Sequence, residues 1–193
     1  MTKGTVYIID DDGDLACSLA RLIGRAGYET KAFQEPNELH RISREAPPEC
    51  VVTDVMMGVY DGFKVAEQIK AQDPRVAIIF MTAWPKSMAA VDAVRTFGGT
   101  DYLEKPIDED RLFQSLDRAV AWSRNQKAVR ERLVKLTSRE LEVFHLLCRG
   151  LSNKMIAASL GIQPKTIEDH RSSIMRKTQA NGLAQLIELE RSL

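Results

Sequence analysis

Four apolar runs in the first part of the sequence each lead into a side chain that can do polar chemistry. Asp10, Asp11 and Asp12 follow Thr5–Ile9, Asp54 ends the run at 50–53, Thr82 follows 76–81, and Lys105 stands just beyond 100–103. Clustered carboxylates raise the cost of ionising one another unless a cation or a basic side chain offsets their charge. Oxygen-only ligands at a partly hydrated surface suit Mg²⁺, which binds near-octahedrally and keeps several of its waters. A carboxylate held beside such an ion, as Asp54 would be, can act as a nucleophile toward phosphorus and become an aspartyl phosphate. Mg²⁺ and the Lys105 ammonium would take the charge on the phosphoryl oxygens, and the Thr82 hydroxyl would donate to one of them. Aspartates after strands also cap the helices that come next, and for Asp12 and Asp14 that account serves equally well. The argument rests on the joint placement rather than on any single acid.

Such a convergence needs elements that deliver all four points to one rim. Five apolar runs, Thr5–Ile9 and residues 28–33, 50–53, 76–81 and 100–103, alternate with segments whose apolar residues recur every three or four positions. Leu15, Leu19, Leu22 and Ile23 form one such set, and Phe63, Val65, Ala66 and Ile69 another. Continuous hydrophobic strands separated by amphipathic helices predict a doubly wound α/β domain, with a five-stranded parallel sheet covered on both faces. Ligands of such sheets bind beyond the carboxyl ends of the strands, which is where these residues fall.

After the last run, a helix is expected from near Asp108, with Leu112, Phe113, Leu116, Ala119 and Val120 on its apolar face. Residues 121–135 are polar and lack Gly and Pro, with Trp122, Val129 and Leu133 spaced as on one helical face. They read as a linker, either continuous with that helix or broken from it. From Leu136 the pattern is helical throughout. Thr137 and Glu140 form a capping box before the stripe Leu141, Phe144, Leu147 and Cys148, with Gly150 as a stop. Ser152 can cap a short helix ended by Gly161, Pro164 fits the first position of a third, running to about Thr178, and Asn181 can cap a fourth. The predicted organisation is 1–120, a linker at 121–135, and a small all-α domain at 136–193, whose tight glycine turn resembles a helix-turn-helix.

The overall net charge of zero hides a division. Residues 1–120 carry 14 Lys+Arg against 20 Asp+Glu, a balance of −6, whereas residues 121–193 carry 13 against 7, a balance of +6. An acidic first domain suits a cation and a basic second one suits a polyanion, although attraction between the halves would account for the same asymmetry. Cys17, Cys50 and Cys148 are odd in number and widely spaced within apolar patterns, so reduced core thiols are expected rather than disulfides or a zinc site. No apolar stretch is long enough to span a bilayer and the first residues do not read as an export signal, so a cytoplasmic protein with no membrane partner is expected.

Taken together, "VYIIDDD", "VVTDVMMGVYDG", "IIFMTA" and "DYLEKPID" resemble the receiver domain of two-component response regulators, over roughly residues 3–120. The resemblance implies a CheY/flavodoxin-like fold, Asp54 as phosphoacceptor, and Mg²⁺ held by Asp10, Asp11, Asp54 and the Met56 backbone carbonyl. It also implies Thr82 and Tyr102 as a switch pair, a cis proline after Lys105, and a sensor histidine kinase as phosphoryl donor. Gly58 departs from the usual proline, Pro85 from a common glycine, and Trp84 is bulkier than many residues at its position.

Within the third C-terminal helix, Ile167, His170 and Ile174 fall on one stripe, and Lys165, Glu168, Asp169, Ser172 and Arg176 on the other. Lys165, Arg171, Arg176 and Lys177, with Lys154 from the preceding helix, can neutralise phosphates, and Glu168 can accept from a cytosine amino group. "LTSRE", "GLSNKMIA" and "KTIEDHR" resemble, in order and spacing, the LuxR-type helix-turn-helix of the NarL/FixJ class of response regulators. That resemblance implies double-stranded promoter DNA as partner, with Lys165, Thr166, Glu168, Asp169, Arg171 and Ser172 near it and His170 structural. RNA polymerase is a further candidate partner.

The resulting expectation is a phosphorylation-controlled transcription factor and not an enzyme. Phosphorylation would draw Thr82 toward the phosphoryl group, let Tyr102 pack inward, and pair two receivers through a surface that includes Val91, Val94 and Arg95. A homodimer would place two recognition helices about one DNA turn apart. Two rivals remain at this level. A phosphatase using Asp54 would commonly need an acid two residues on, where Met56 stands, and the helical module could instead bind protein or RNA.

Overall fold

A computed structural model of the protein describes residues 2–83 and 98–191, which belong to two compact units, Met1–Arg124 and Asn125–Leu193. In the first unit, β1 (Thr5–Ile9), β2 (Glu29–Phe33) and β3 (Cys50–Asp54) are followed by a separate antiparallel pair, β4 (Met56–Met57) and β5 (Tyr60–Asp61). β6 (Ala77–Thr82) and β7 (Asp101–Glu104) complete a five-stranded, all-parallel sheet in the order β2-β1-β3-β6-β7. The order reverses between β1 and β3, and a crevice opens at such a switch point.

Both faces of the sheet are covered. Side chains alternate along each strand, so Val6, Ile8, Val52, Ile79, Met81 and Leu103 pack with α1 (Gly13–Arg25) and the first half of α4 (Glu109–Leu133). Tyr7, Ile9, Val51, Ile78 and Phe80 pack with α2 (Pro36–Glu45) and α3 (Gly62–Gln72). Burying each such side chain contributes about 1.5–3 kcal/mol, and because both sets are apolar the strands read as unbroken hydrophobic runs. The ladder outlasts the apolar run by one residue at two strands. Asp54 pairs with Met81 and Thr82 with Glu104, because backbone pairing is indifferent to side-chain polarity.

The β4–β5 hairpin has no counterpart in the sequence reading. Its two-residue turn, Gly58–Val59, has Gly58 at φ 52°, a left-handed conformation closed to proline, whose ring holds φ near −65°. The departure at Gly58 therefore suits the turn this loop makes. Cys17 is exposed rather than in the core, since the buried face of α1 is Ala16, Leu19 and Ile23. Trp84, Pro85, Val91, Val94 and Arg95, on which sequence expectations were placed, lie outside the described residues.

In the second unit, α5 (Ser138–Cys148), α6 (Asn153–Leu160), α7 (Pro164–Thr178) and α8 (Leu183–Arg191) close on Val143, Phe144, Leu147, Ile156, Ile167, Ile174 and Leu186. The end of α4 joins them through Val129 and Leu133. The Thr137/Glu140 capping box forms, Ser152 caps α6, and Gly161 ends it in a left-handed conformation at φ 65°. Asn181 does not act as the expected cap. The last helix begins at Leu183, with the Leu186 N–H on the Gly182 carbonyl, and the Asn181 N–H donates to Gln185 Oε1.

Glu140 does more than cap. Its carboxylate accepts from the Thr137 N–H at 2.7 Å and, from α7, the Ser173 hydroxyl and the Lys177 ammonium, each at 2.6 Å. Lys177, read in the sequence as able to meet phosphates, is thereby paired within the unit. The Lys177 ammonium, the Ser173 hydroxyl and the Thr137 N–H hold Glu140 down from 4.5 to about 2. A carboxylate depressed in the fold stabilises it above its unfolded pKa and loses that contribution as pH falls through the folded one. The helical unit should therefore lose stability on acidification from about pH 4.5 toward 2. Glu140→Gln should lower its stability at pH 7 by about 3 kcal/mol and flatten that acid dependence, as read by amide exchange of α5 and α7.

Gly62 makes a second local constraint. A Cβ added there would stand 1.9 Å from the Asp54 carbonyl oxygen. Gly62→Ala should displace the end of β3, costing at least about 2 kcal/mol in thermal unfolding of the first unit.

Candidate functional site

The end of β1 and the end of β3 are neighbours at the switch point, and the loop after β7 reaches the same rim. Asp10 is 1% exposed and Asp54 8% exposed, while Asp11 is open to solvent. Lys105 bridges the first two, with Nζ 2.9 Å from Asp10 Oδ2 and 2.6 Å from Asp54 Oδ2. The other oxygens are tied to backbone, since Asp12 N–H donates to Asp10 Oδ1 at 2.9 Å and Met56 N–H to Asp54 Oδ1 at 3.2 Å. Lys105 is itself placed by its N–H on the Thr82 carbonyl, 2.7 Å, and the Lys105–Pro106 peptide bond is cis.

Burial shapes the charges here. It raises the Asp10 pKa, against the hydrogen bond and charge of Lys105. For Lys105 burial pulls the other way, but the hydrogen bonds to Asp54 and Asp10 and their charges outweigh it, and the ammonium is held above its usual range. The lysine stays charged.

Asp10, Asp11 and Asp54 each offer an oxygen within 4.8 Å of the others. Three carboxylates against one ammonium leave a formal local charge of −2, and the donors are all oxygen. That is the chemistry of a hard divalent cation, and the site fits Mg²⁺. The Met56 carbonyl belongs to the same turn. Its side chain is 68% exposed at the rim, beside the exposed Val59.

The remaining predicted residues divide clearly. Thr82, 3% exposed, stands one residue past the Asp54–Met81 pair. Tyr102 is half-buried, with its carbonyl accepting from Arg111 Nη2 at 3.0 Å. Asp12 is a helix cap, accepting from the Asp14 and Leu15 N–H groups, which is the plainer of the two accounts of it. Two glycines also shape the site, Gly62, which the sequence reading passed over, and Gly58, which it noted only as a departure from proline. Gly62 abuts the Asp54 carbonyl, and Gly58, through the turn it permits, lies against the Asp11 carboxylate. Glycine spacing around "MMGVYDG" was the available signal.

On the second unit, Lys154, Lys165, Thr166, Glu168, Asp169, Ser172 and Arg176 are exposed and Arg171 is half-buried. His170 is half-buried as well, in keeping with a structural role. α6 and α7 are joined by a turn through Gly161, and both Lys154 on α6 and the outer face of α7 are open to solvent.

Residues 6–117 match the response regulator receiver domain, and residues 134–189 match the luxR family of bacterial regulatory proteins. The chain is 36% identical over 195 residues to the transcriptional regulatory protein FixJ of Bradyrhizobium diazoefficiens, covering 97% of this chain and 95% of that one. It is 30% identical to the tetrathionate response regulatory protein TtrR of Salmonella typhimurium, covering 95% and 90%. Among solved structures, full-length FixJ from B. japonicum aligns over 100% of this chain and 98% of that one, with 34% identity and a TM-score of 0.56. The response regulator StyR aligns over 98% of each chain, with 30% identity and a TM-score of 0.52.

Loss of one metal-facing charge should be measurable directly. Asp11→Asn should weaken Mg²⁺ binding at least tenfold in calorimetric titration, about 1.4 kcal/mol, without lowering the melting temperature, because Asp11 is exposed.

Proposed function

The chain belongs to the response regulators that join a receiver domain to a LuxR-type DNA-binding domain, and we propose that Asp54 is its phosphoacceptor and that phosphorylation controls its binding to promoter DNA. The observation that carries this is the Lys105 ammonium between Asp10 and Asp54 at 2.9 and 2.6 Å, on a rim with three carboxylate oxygens gathered within 4.8 Å.

The chemistry follows from what these side chains do. An Asp54 oxygen attacks phosphorus, the bond to the leaving nitrogen of a phosphohistidine breaks, and that nitrogen keeps the electron pair. Asp10, Asp11, Asp54 and the Met56 carbonyl would hold Mg²⁺. Bound there, the ion supplies charge neutralisation for the phosphoryl oxygens. Lys105, ionised and already within reach of Asp54, offers a second positive charge without any rearrangement of the sheet. The Thr82 hydroxyl would donate to a phosphoryl oxygen, and Tyr102, at the neighbouring strand, would follow it inward.

The partners follow the two units. A sensor histidine kinase supplies the phosphoryl group, and the basic face of α6 and α7, through Lys154, Lys165, Thr166, Arg171, Ser172 and Arg176, engages DNA. Pairing of two phosphorylated chains would bring two such faces to adjacent half-sites, as the twofold symmetry of a dimer requires. RNA polymerase is a downstream partner in this reading. A phosphatase reading lacks an acid at Met56 to assist water or a leaving group.

Acetyl phosphate with Mg²⁺ should label the wild-type chain with one phosphoryl group by mass spectrometry and tighten its binding to promoter DNA. Asp54→Ala should take no label and show no tightening. Equal tightening in Asp54→Ala would refute the switch, and binding insensitive to salt would refute the phosphate contacts, which must weaken as salt rises.

A further inference from the structure

The polar side chains of α7 differ in what they have left to bind. Lys165, Asp169, Ser172 and Arg176 recur at four-, three- and four-residue intervals, so they form one stripe on the side away from the buried Ile167, Ile174 and Thr178. Three of the four have partners inside the chain. Lys165 Nζ donates to Glu168 Oε2 at 3.2 Å, Ser172 Oγ to the Glu168 carbonyl at 2.9 Å, and Arg176 Nη2 to Ser173 Oγ at 3.4 Å. Asp169 sits in the middle of the stripe, exposed, and among the described residues no group donates to its carboxylate.

An unpaired carboxylate there is unfavourable against a polyanion unless the nucleic acid answers it with a donor. Phosphates repel it. The major-groove edges of the bases offer amino groups at only two places, cytosine N4 and adenine N6. On adenine the N7 lone pair lies beside the amino group and opposes the second carboxylate oxygen. Cytosine presents its amino group next to a C–H edge with no lone pair, so an acceptor-only side chain suits it better. Lys165 and Arg176, on either side of Asp169 along the stripe, can swing to the flanking phosphates, since exposed ion pairs and hydrogen bonds of this kind hold them only weakly.

We infer that Asp169 is a base-reading residue that accepts a hydrogen bond from the N4 amino group of a cytosine in the major groove, with Lys165 and Arg176 anchoring the backbone on either side. This rests on the assignment of α7 as the DNA-reading element. Glu168 lies off the centre of the stripe, which leaves Asp169 as the acid at its middle and the one that most directly meets the base edges.

The test is selection of binding sites from a randomised duplex library by the full chain treated with acetyl phosphate and Mg²⁺, run for wild type, Asp169→Ala and Asp169→Asn. The wild type should require a cytosine at one position of each half-site. Asp169→Ala should lose that requirement, and Asp169→Asn should move it toward adenine, which an amide can bind through both N6 and N7, with a change in preference of roughly 5- to 150-fold. Asp169 is exposed and, among the described residues, forms no hydrogen bond or ion pair, so both variants should fold as the wild type does. Identical selected sequences for all three proteins overturn the inference, as does a change confined to guanine positions, which would mean that Asp169 acts only by holding a neighbouring cation. A wild type that selects no sequence at all sinks the assignment of α7 and this inference with it, whereas selection that is intact but unaltered by the variants sinks this inference alone.

Discussion

One ammonium group organises the receiver half of the molecule. Lys105 stands between two carboxylates that come from different strands, 95 residues and 51 residues away in the sequence. Without it, Asp10 and Asp54 would face one another at the buried end of a parallel sheet with nothing to offset their charge. Desolvation would then favour protonating one of them, which is the direction in which burial already pushes Asp10. With it, a hydrogen bond to Asp10 and a positive charge beside it work against that push. The exposed third acid, Asp11, keeps the local charge negative enough to call for a dication.

The DNA-binding half uses the same pair of chemical groups to the opposite end. Glu140 and Lys177 are 2.6 Å apart, like Asp54 and Lys105, yet Glu140 also accepts from a backbone N–H and a hydroxyl. Those bonds fill the carboxylate with internal donors, so it ties α5 to the far end of α7 and has no role left for a ligand. Among the described residues, Asp54 takes a single backbone donor besides its lysine, and it lies at an open rim. A buried ion pair can thus be closed off or left open to a ligand, and the number of further hydrogen bonds on the carboxylate separates the two cases. The Glu140 pair fixes α7 against α5.

Much of this architecture was legible beforehand. The two sets of apolar residues on each strand explained the continuous runs, and the caps at Thr137, Ser152 and Pro164 marked three helix starts correctly because each works through backbone groups within one turn. The misses share a cause too. Asn181 has a good capping side chain, but the helix starts at Leu183, where the chain has already turned past it. Cys17 looked apolar by company, yet a rotation of one position on α1 puts it on the open face. The Lys177 pairing went unforeseen because its partner is 37 residues away. The β4–β5 hairpin was missed because its strands are two residues long, too short for any periodicity to register.

The amino-acid sequence by itself determined the order of strands and helices, the charge division between the two halves, the caps, and which residue types could meet phosphorus or a nucleic acid. These are local properties, set by side-chain period and by hydrogen bonds that close within a few residues. Tertiary structure alone decided which lysine joins the acidic rim and which ties two helices together, that Gly58 and Gly62 press against the acidic site, and that Asp169 is the acid left unmatched, among the described residues, on the outer face of α7. Each of those depends on what stands within a few ångströms after the chain has closed on itself, and a partner's distance along the sequence carries no information about that.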